Sequence, residues 1–187
     1  MKVINSKLDG VLFFQTEKHW DNRGFFQETF NKSEFEKALK ERSLPVPEFK
    51  QDNIIYSNFG VLRGLHYQST PHEQGKLVSV IKGKVLDIAV DLRKGSKTYG
   101  QYDWCVINTS NNLQMWIPEG FAHGVLALED NTIIQYKTTE HQHKESEVVI
   151  NCFDEKLDID WGVPKSCIIL SNKDKNGISF NDFNLFN

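Results

Sequence analysis

Apolar residues along this chain come in short runs broken by clusters of Gly, Pro, Asn, Asp and Ser, the rhythm of strands and turns. Residues 8 to 16 alternate into Val11-Leu12-Phe13-Phe14, a predicted strand. The polar loop His19-Trp20-Asp21-Asn22 leads to Arg23-Gly24, and Phe25, Phe26 and Phe30 carry a second strand. One segment changes period. Ser33-Glu34-Phe35-Glu36 has the form of a capping box, and Phe35, Ala38 and Leu39 fall on one helical face. A short amphipathic surface helix is therefore predicted from Ser33 to about Arg42, broken by Pro45-Val46-Pro47. Phe49 to Ser57 reads as a strand ending in the turn Asn58-Phe59-Gly60. After the Ser69–Gly75 loop, Leu77–Lys82 and Lys84–Asp91 are β-rich runs joined at Gly83, which predicts a hairpin. Tyr99–Asn108, Leu113–Ile117, Gly124–Leu128 and Thr132–Thr139 follow with turns between them. From Asp154 the pattern is loop-like, and Gly177 to Asn187 offers no motif. Short strands at such regular spacing predict an all-β sandwich or barrel with a few short peripheral helices.

Composition narrows the function more than the fold. At 187 residues the chain is read as one domain with room for a sizeable core. Thirteen Phe, five Tyr and four Trp suit a β-rich core and a stacking site for a flat ligand. A net charge of −3 with acids and bases interspersed gives no basic stripe, so nucleic acid is not an expected partner. Cys105, Cys152 and Cys167 are odd in number and far apart, and are read as reduced and structural. The N-terminus lacks a signal-peptide run and no stretch is long enough for a membrane span, so a cytoplasmic protein is expected. Asn-x-Ser triplets at Asn31 and Asn108 are read as chance.

The densest polar chemistry lies in Val61-Leu62-Arg63-Gly64-Leu65-His66-Tyr67-Gln68 and at Lys76. Imidazole exchanges protons near neutrality, guanidinium is a planar fork for phosphate or carboxylate, and Lys76 opens the apolar run Leu77-Val78-Ser79-Val80-Ile81. A hydrogen-bonded core histidine between two solvated cations would show the same residues. In a regular strand Arg63 and Leu65 share one face while Leu62, Gly64 and His66 share the other. For Arg63 and His66 to converge the strand must bend, and either Gly64 supplies the bend or the two serve different parts of one ligand.

Val61 to Gln68 resembles the signature of the dTDP-4-dehydrorhamnose 3,5-epimerase family of cupin-type sugar-nucleotide epimerases. Four further blocks match in order: Asp21-Asn22-Arg23-Gly24-Phe25-Phe26-Gln27-Glu28, Gln51-Asp52-Asn53, Trp116-Ile117-Pro118-Glu119-Gly120-Phe121-Ala122-His123-Gly124 and Tyr136-Lys137-Thr138-Thr139. The likeness runs from near residue 10 to about Asp174. It implies a cupin jelly roll, or double-stranded β-helix, acting on a nucleotide-diphosphate 4-keto sugar, without cofactor or metal. The ketone acidifies the neighbouring C–H bonds, so the site need supply only a base, an acid opposite it and a donor for the enolate oxygen. The resemblance assigns His66 as base, Asp174 as its carboxylate partner, Tyr136 as acid and Lys76 as the enolate donor. It assigns ligand contacts to Arg23, Glu28, Gln51, Asn53, Arg63, His123, Glu147 and Lys173. It also implies a homodimer whose N-terminal strands, within Phe13 to Phe30, cross to the partner.

One position departs from the family pattern. Where the family stacks a Tyr on thymine this chain has Gln142, within Thr139-Glu140-His141-Gln142-His143. A Gln side chain cannot replace the aromatic π face of Tyr, and base stacking is worth roughly 1–3 kcal/mol. Either His141 or His143 stacks instead, or the base is not thymine; a GDP-linked 4-keto sugar such as a heptose and a single-carbon epimerase are the alternatives. A metal-dependent cupin isomerase or oxygenase is less favoured. His66-Tyr67-Gln68 lacks the second histidine of the metal pair, and His141-Gln142-His143 follows His123 in a polar loop.

Overall fold

The computed structural model describes residues 1–186. Two antiparallel sheets face each other. The first runs β1 (Lys2–Asn5), β2 (Leu12–Gln15), β10 (Leu113–Ile117), β7 (Lys76–Lys82), β12 (Thr132–Thr138), β5 (Gln51–Ser57). The second runs β13 (Glu147–Val149), β6 (Leu62–Gln68), β11 (Phe121–Ala127), β8 (Lys84–Asp91), β9 (Tyr102–Asn108). From β5 to β13 the chain changes sheet at every connection except β8 to β9. That back-and-forth winding is the expected all-β jelly roll. The expected hairpin at Gly83 is therefore wrong: β7 pairs with β10 and β12, and β8 makes its hairpin with β9. Gly83, at φ +82°, is where the chain crosses from one sheet to the other.

Alternation along the strands sorts the core. Val85 and Ala89 of β8 point between the sheets with Val78, Met115, Ile117, Val125 and Ile134. Leu86, Ile88 and Val90 point the other way, beneath Leu157, Trp161, Phe180 and Phe183. The segment read as featureless loop thus covers the back of the second sheet, helped by α2 (Asn172–Lys175) and α3 (Phe180–Phe186). Burial on both faces explains why β8 reads as a near-continuous apolar run. Helix α1 (Lys32–Lys40) covers the back of the first sheet, setting Phe35, Ala38 and Leu39 against Leu12, Phe14, Leu77 and Trp116. Its cap is Asn31, whose side chain accepts from the Glu34 N–H at 3.2 Å, so the helix starts before the predicted Ser33. The expected loop at His19–Asn22 is instead part of a two-stranded ribbon, β3 (Lys18–Asp21) and β4 (Gly24–Gln27), that joins neither sheet. Exposed on both faces, β3 lacks the alternation that betrays a strand.

The join between β6 and β11 positions the site. His66 faces His123 and Arg63 faces Val125, so three steps along β6 match two along β11. The extra residue is a β-bulge at Gly64 and Leu65. Because His123 and Val125 share a face, their partners His66 and Arg63 share it too. A Cβ on Gly64, at φ +138°, would meet the Gly124 Cα at 2.6 Å and the His123 carbonyl oxygen at 2.7 Å. Gly64→Ala is therefore expected to cost about 2 kcal/mol or more. Thermal unfolding should show the melting temperature lowered by about 5 °C or more, and an unchanged melting curve would contradict this role for the bulge.

Candidate active site

Between the sheets lies a cavity of about 210 Å³ lined by both of them. Its floor comes from the alternation of β5, β12 and β7. Gln51, Thr138 and Lys76 form one row across the three strands, and Asn53, Tyr136 and Val78 the next. The opposite wall carries Arg63 and His66 of β6 and His123 and Val125 of β11. Gln74, Gln142, Glu147 and Lys173 complete the lining, with the Lys173 ammonium 2.7 Å from Glu147 Oε1.

His66 Nε2 lies 2.6 Å from Asp174 Oδ1. Asp174 sits behind the imidazole on α2, only 4% exposed, and its Oδ2 accepts from the Ser171 hydroxyl at 2.8 Å. Burial pushes this carboxyl upward, but the hydrogen bonds from His66 and Ser171 outweigh it and hold Asp174 below the ordinary carboxylate range. The carboxylate is thus the acceptor, which assigns the proton to Nε2 and leaves Nδ1 as a basic lone pair. Across the floor, burial raises the Tyr136 phenol above its usual value, with Arg63 pulling it down and Glu147 pushing it up. A phenol in that condition keeps its proton at neutrality and is available as an acid. Lys76 is buried at the start of β7; desolvation lowers its ammonium to about 8 against the opposing pull of Glu147 and Asp87.

A second imidazole–carboxylate pair stands beside the first. His123 Nε2 is 2.7 Å from Oδ1 of Asp87, which is 0% exposed. Asp87 had gone unnoticed in the sequence. Its signal was an acid in the middle of the apolar run Val85-Leu86-Asp87-Ile88-Ala89-Val90, since such acids are almost never fully buried without a partner. Gln68, quoted in the signature without a role, ties two loops together at one end of the cavity. Its amide donates to the His72 carbonyl at 2.6 Å and the His141 carbonyl at 3.2 Å, and accepts from the His143 N–H at 2.9 Å.

Nine of the residues assigned by resemblance line the cavity, namely Gln51, Asn53, Arg63, His66, Lys76, His123, Tyr136, Glu147 and Lys173, and so does Gln142 at the departing position. Two others do not. Arg23 is at the tip of the β3–β4 ribbon, paired to Asp21 at 2.6 Å, and Glu28 accepts from the Asn31 amide at 3.2 Å. Both belong to a projecting segment outside the two sheets, so within one chain neither reaches the site. His141 Nδ1 lies 3.3 Å from Gln51 Oε1, whereas the His143 ring stacks on His72 with centroids 3.7 Å apart. Of the two histidines proposed to replace the missing Tyr, His143 is already engaged by another ring. Among the described residues, no three His, Cys, Asp or Glu side chains are grouped to hold a metal ion.

The family model for dTDP-4-dehydrorhamnose 3,5-epimerase matches residues 5–182. The chain belongs to this family. The Shigella flexneri dTDP-4-dehydrorhamnose 3,5-epimerase is 44% identical to it over 186 residues, covering 100% of this chain and 99% of that one. The crystal structure of the epimerase from Elizabethkingia anophelis NUHP1 superposes with a TM-score of 0.90 at 40% identity, covering 97% of each chain. The Legionella pneumophila epimerase, solved in complex with dTDP-4-keto-L-rhamnose, gives 0.90 at 42% identity, covering 96% of this chain and 93% of that one. Epimerases of this family are isomerases acting on carbohydrates, and its solved members share the cupin-like jelly roll found here.

Burial of Lys76 carries a stability cost. With its folded pKa near 8 and an unfolded value of 10.5, folding expels a proton between those limits. Stability therefore rises with pH across that window, and at pH 7 the buried ammonium is a net cost. Lys76→Met is expected to raise the melting temperature at pH 7 by several degrees and to lower kcat by about 10²-fold or more. In the unaltered epimerase, activity should fall as pH rises through about 8. Calorimetry and a pH–rate profile check both.

Proposed function

We propose that this protein inverts C3 and C5 of dTDP-4-dehydro-6-deoxyglucose, giving dTDP-4-dehydrorhamnose, without a cofactor. The observation carrying the proposal is the His66–Asp174 pair with its 2.6 Å contact, set in one cavity with Tyr136 and the buried Lys76. In each half-reaction His66 takes the proton from a carbon next to the ketone. The C–H pair becomes the C=C bond, and the carbonyl pair moves onto the C4 oxygen, where the Lys76 ammonium stabilises the enolate. Tyr136 then delivers a proton to the other face while the C4 carbonyl re-forms. Solvent removes the proton from His66 and restores that of Tyr136. A shift of the sugar ring brings the second carbon to the same base. Positioned acid–base groups contribute about 10² to 10⁴-fold, and no redox step or electron sink beyond the ketone is needed.

The cavity is smaller than sites that enclose a whole drug-sized ligand, for which roughly 300–1,000 Å³ is usual. In this reading the sugar occupies it and the nucleoside diphosphate runs along its mouth, with Arg63 facing the diphosphate and Gln51, His141 and Gln142 near the base. The β3–β4 ribbon exposes Trp20 (70%), Phe25 (51%) and Phe26 (68%), an apolar surface of the kind that marks an interface. We assign it to a homodimer in which Arg23 and Glu28 serve the neighbouring subunit's site. The 187 residues act as one domain. Among the described residues no helix is long and apolar enough to cross a membrane, and the free thiols at Cys105, Cys152 and Cys167 suit a reducing, cytoplasmic setting.

Proton NMR of the protein with dTDP-4-dehydro-6-deoxyglucose in D₂O is expected to show deuterium entering at both C3 and C5. Exchange at one carbon alone would make it a single-site epimerase. No exchange with this substrate, but exchange with a GDP-linked 4-keto sugar, would show that Gln142 marks a different base.

A further inference from the structure

Three buried side-chain atoms have no hydrogen-bond partner among the described residues: Asp87 Oδ2, Asn112 Oδ1 and Thr138 Oγ1. Asp87 already meets His123 through its other oxygen, and Asn112 sits in a turn at φ +51°. Thr138 is different. It is 1% exposed, lines the cavity, and shares a strand face with Tyr136 two residues away. In register it lies between Lys76 of β7 and Gln51 of β5.

Its neighbour provides an internal comparison. Thr139 points to the opposite face, where its hydroxyl accepts from the Gly75 N–H at 2.8 Å and donates to Glu119 Oε1 at 2.9 Å. That hydroxyl is structural and both its bonds are made within the protein. The hydroxyl of Thr138 makes none, although a buried polar group without a partner destabilises the fold. Valine has the same shape and suits a strand at least as well, so folding alone gives no reason for the oxygen.

We infer that Thr138 is a substrate ligand, its hydroxyl forming a hydrogen bond to an oxygen of the nucleotide sugar held between Lys76 and Gln51. The inference rests on the function proposed above. Bound substrate supplies the partner that the protein does not, and the unpaired hydroxyl of the free enzyme is the counterpart of that contact.

Three variants, Thr138→Val, Thr138→Ser and Thr139→Val, test it with dTDP-4-dehydro-6-deoxyglucose as substrate and thermal unfolding of the free protein as the second readout. Thr138→Val is expected to lose about tenfold or more in kcat/KM while melting at or above the wild-type temperature. Thr138→Ser should keep most of the activity, and Thr139→Val should melt lower. The inference is overturned if Thr138→Val stays within about twofold of wild type in kcat/KM. It is equally overturned if that variant loses stability as Thr139→Val does, because the hydroxyl would then have a partner inside the fold. A wild-type protein inactive on this substrate would instead overturn the proposed function, which separates the two failures.

Discussion

One extra residue in β6 decides where the chemistry can happen. A regular strand would send Arg63 and His66 to opposite faces, one into the cavity and one behind it. The bulge at Gly64 and Leu65 turns both toward the space that His123 and Val125 face from β11. Only glycine fits there, because the two backbones approach too closely for a Cβ and φ is +138°. Strand alternation then does the rest: the floor presents Lys76, Tyr136 and Thr138 because each falls on the inward phase of its strand.

The charges in this cavity come at some expense to the fold. Two carboxylates, Asp174 and Asp87, stand within hydrogen-bonding distance of the two imidazoles, at 2.6 and 2.7 Å. Each fixes a ring whose orientation would otherwise be free. The carboxyl of Asp174 is held low by the groups that bond it, so it stays charged and can stabilise an imidazolium. Lys76 is buried where its charge is costly, and desolvation lowers its pKa to about 8. An ammonium so desolvated interacts strongly with an oxygen that gains negative charge, which is the demand an enolate makes. Buried groups that destabilise the free protein and favour the altered substrate are the expected signature of a catalytic cavity.

Much of this was legible in the sequence because period-2 patterning is a local signal. The pattern alone gives the bounds of Leu113–Ile117, and it offers Gly64 as a point where β6 can bend so that Arg63 and His66 converge. Other features depend on contacts the local pattern does not contain. Whether Gly83 closes a hairpin or carries the chain to another sheet is decided by which strands lie beside β7, and those are β10 and β12, far along the chain. Asn31 and Ser33 are both good capping residues, and it is the Asn31 side chain that accepts from the Glu34 N–H. The C-terminal cover escapes the pattern because its buried side chains are sparse, with Trp161 in irregular chain and only Phe180 and Phe183 on a short helix. Arg23 and Glu28 are assigned to the site by motif alone, and the segment that carries them, the β3–β4 ribbon and the residue after it, belongs to neither sheet.

The central claim is that His66, backed by Asp174, removes the proton and Tyr136 returns one from the opposite side. The most direct measurement is deuterium uptake by dTDP-4-dehydro-6-deoxyglucose in D₂O, followed separately for His66→Asn and Tyr136→Phe. The account predicts no uptake at either carbon with His66→Asn, and uptake without net inversion with Tyr136→Phe, because the base is intact and only the opposite-face acid is gone. Wild-type rates of uptake in a folded His66→Asn protein would contradict it.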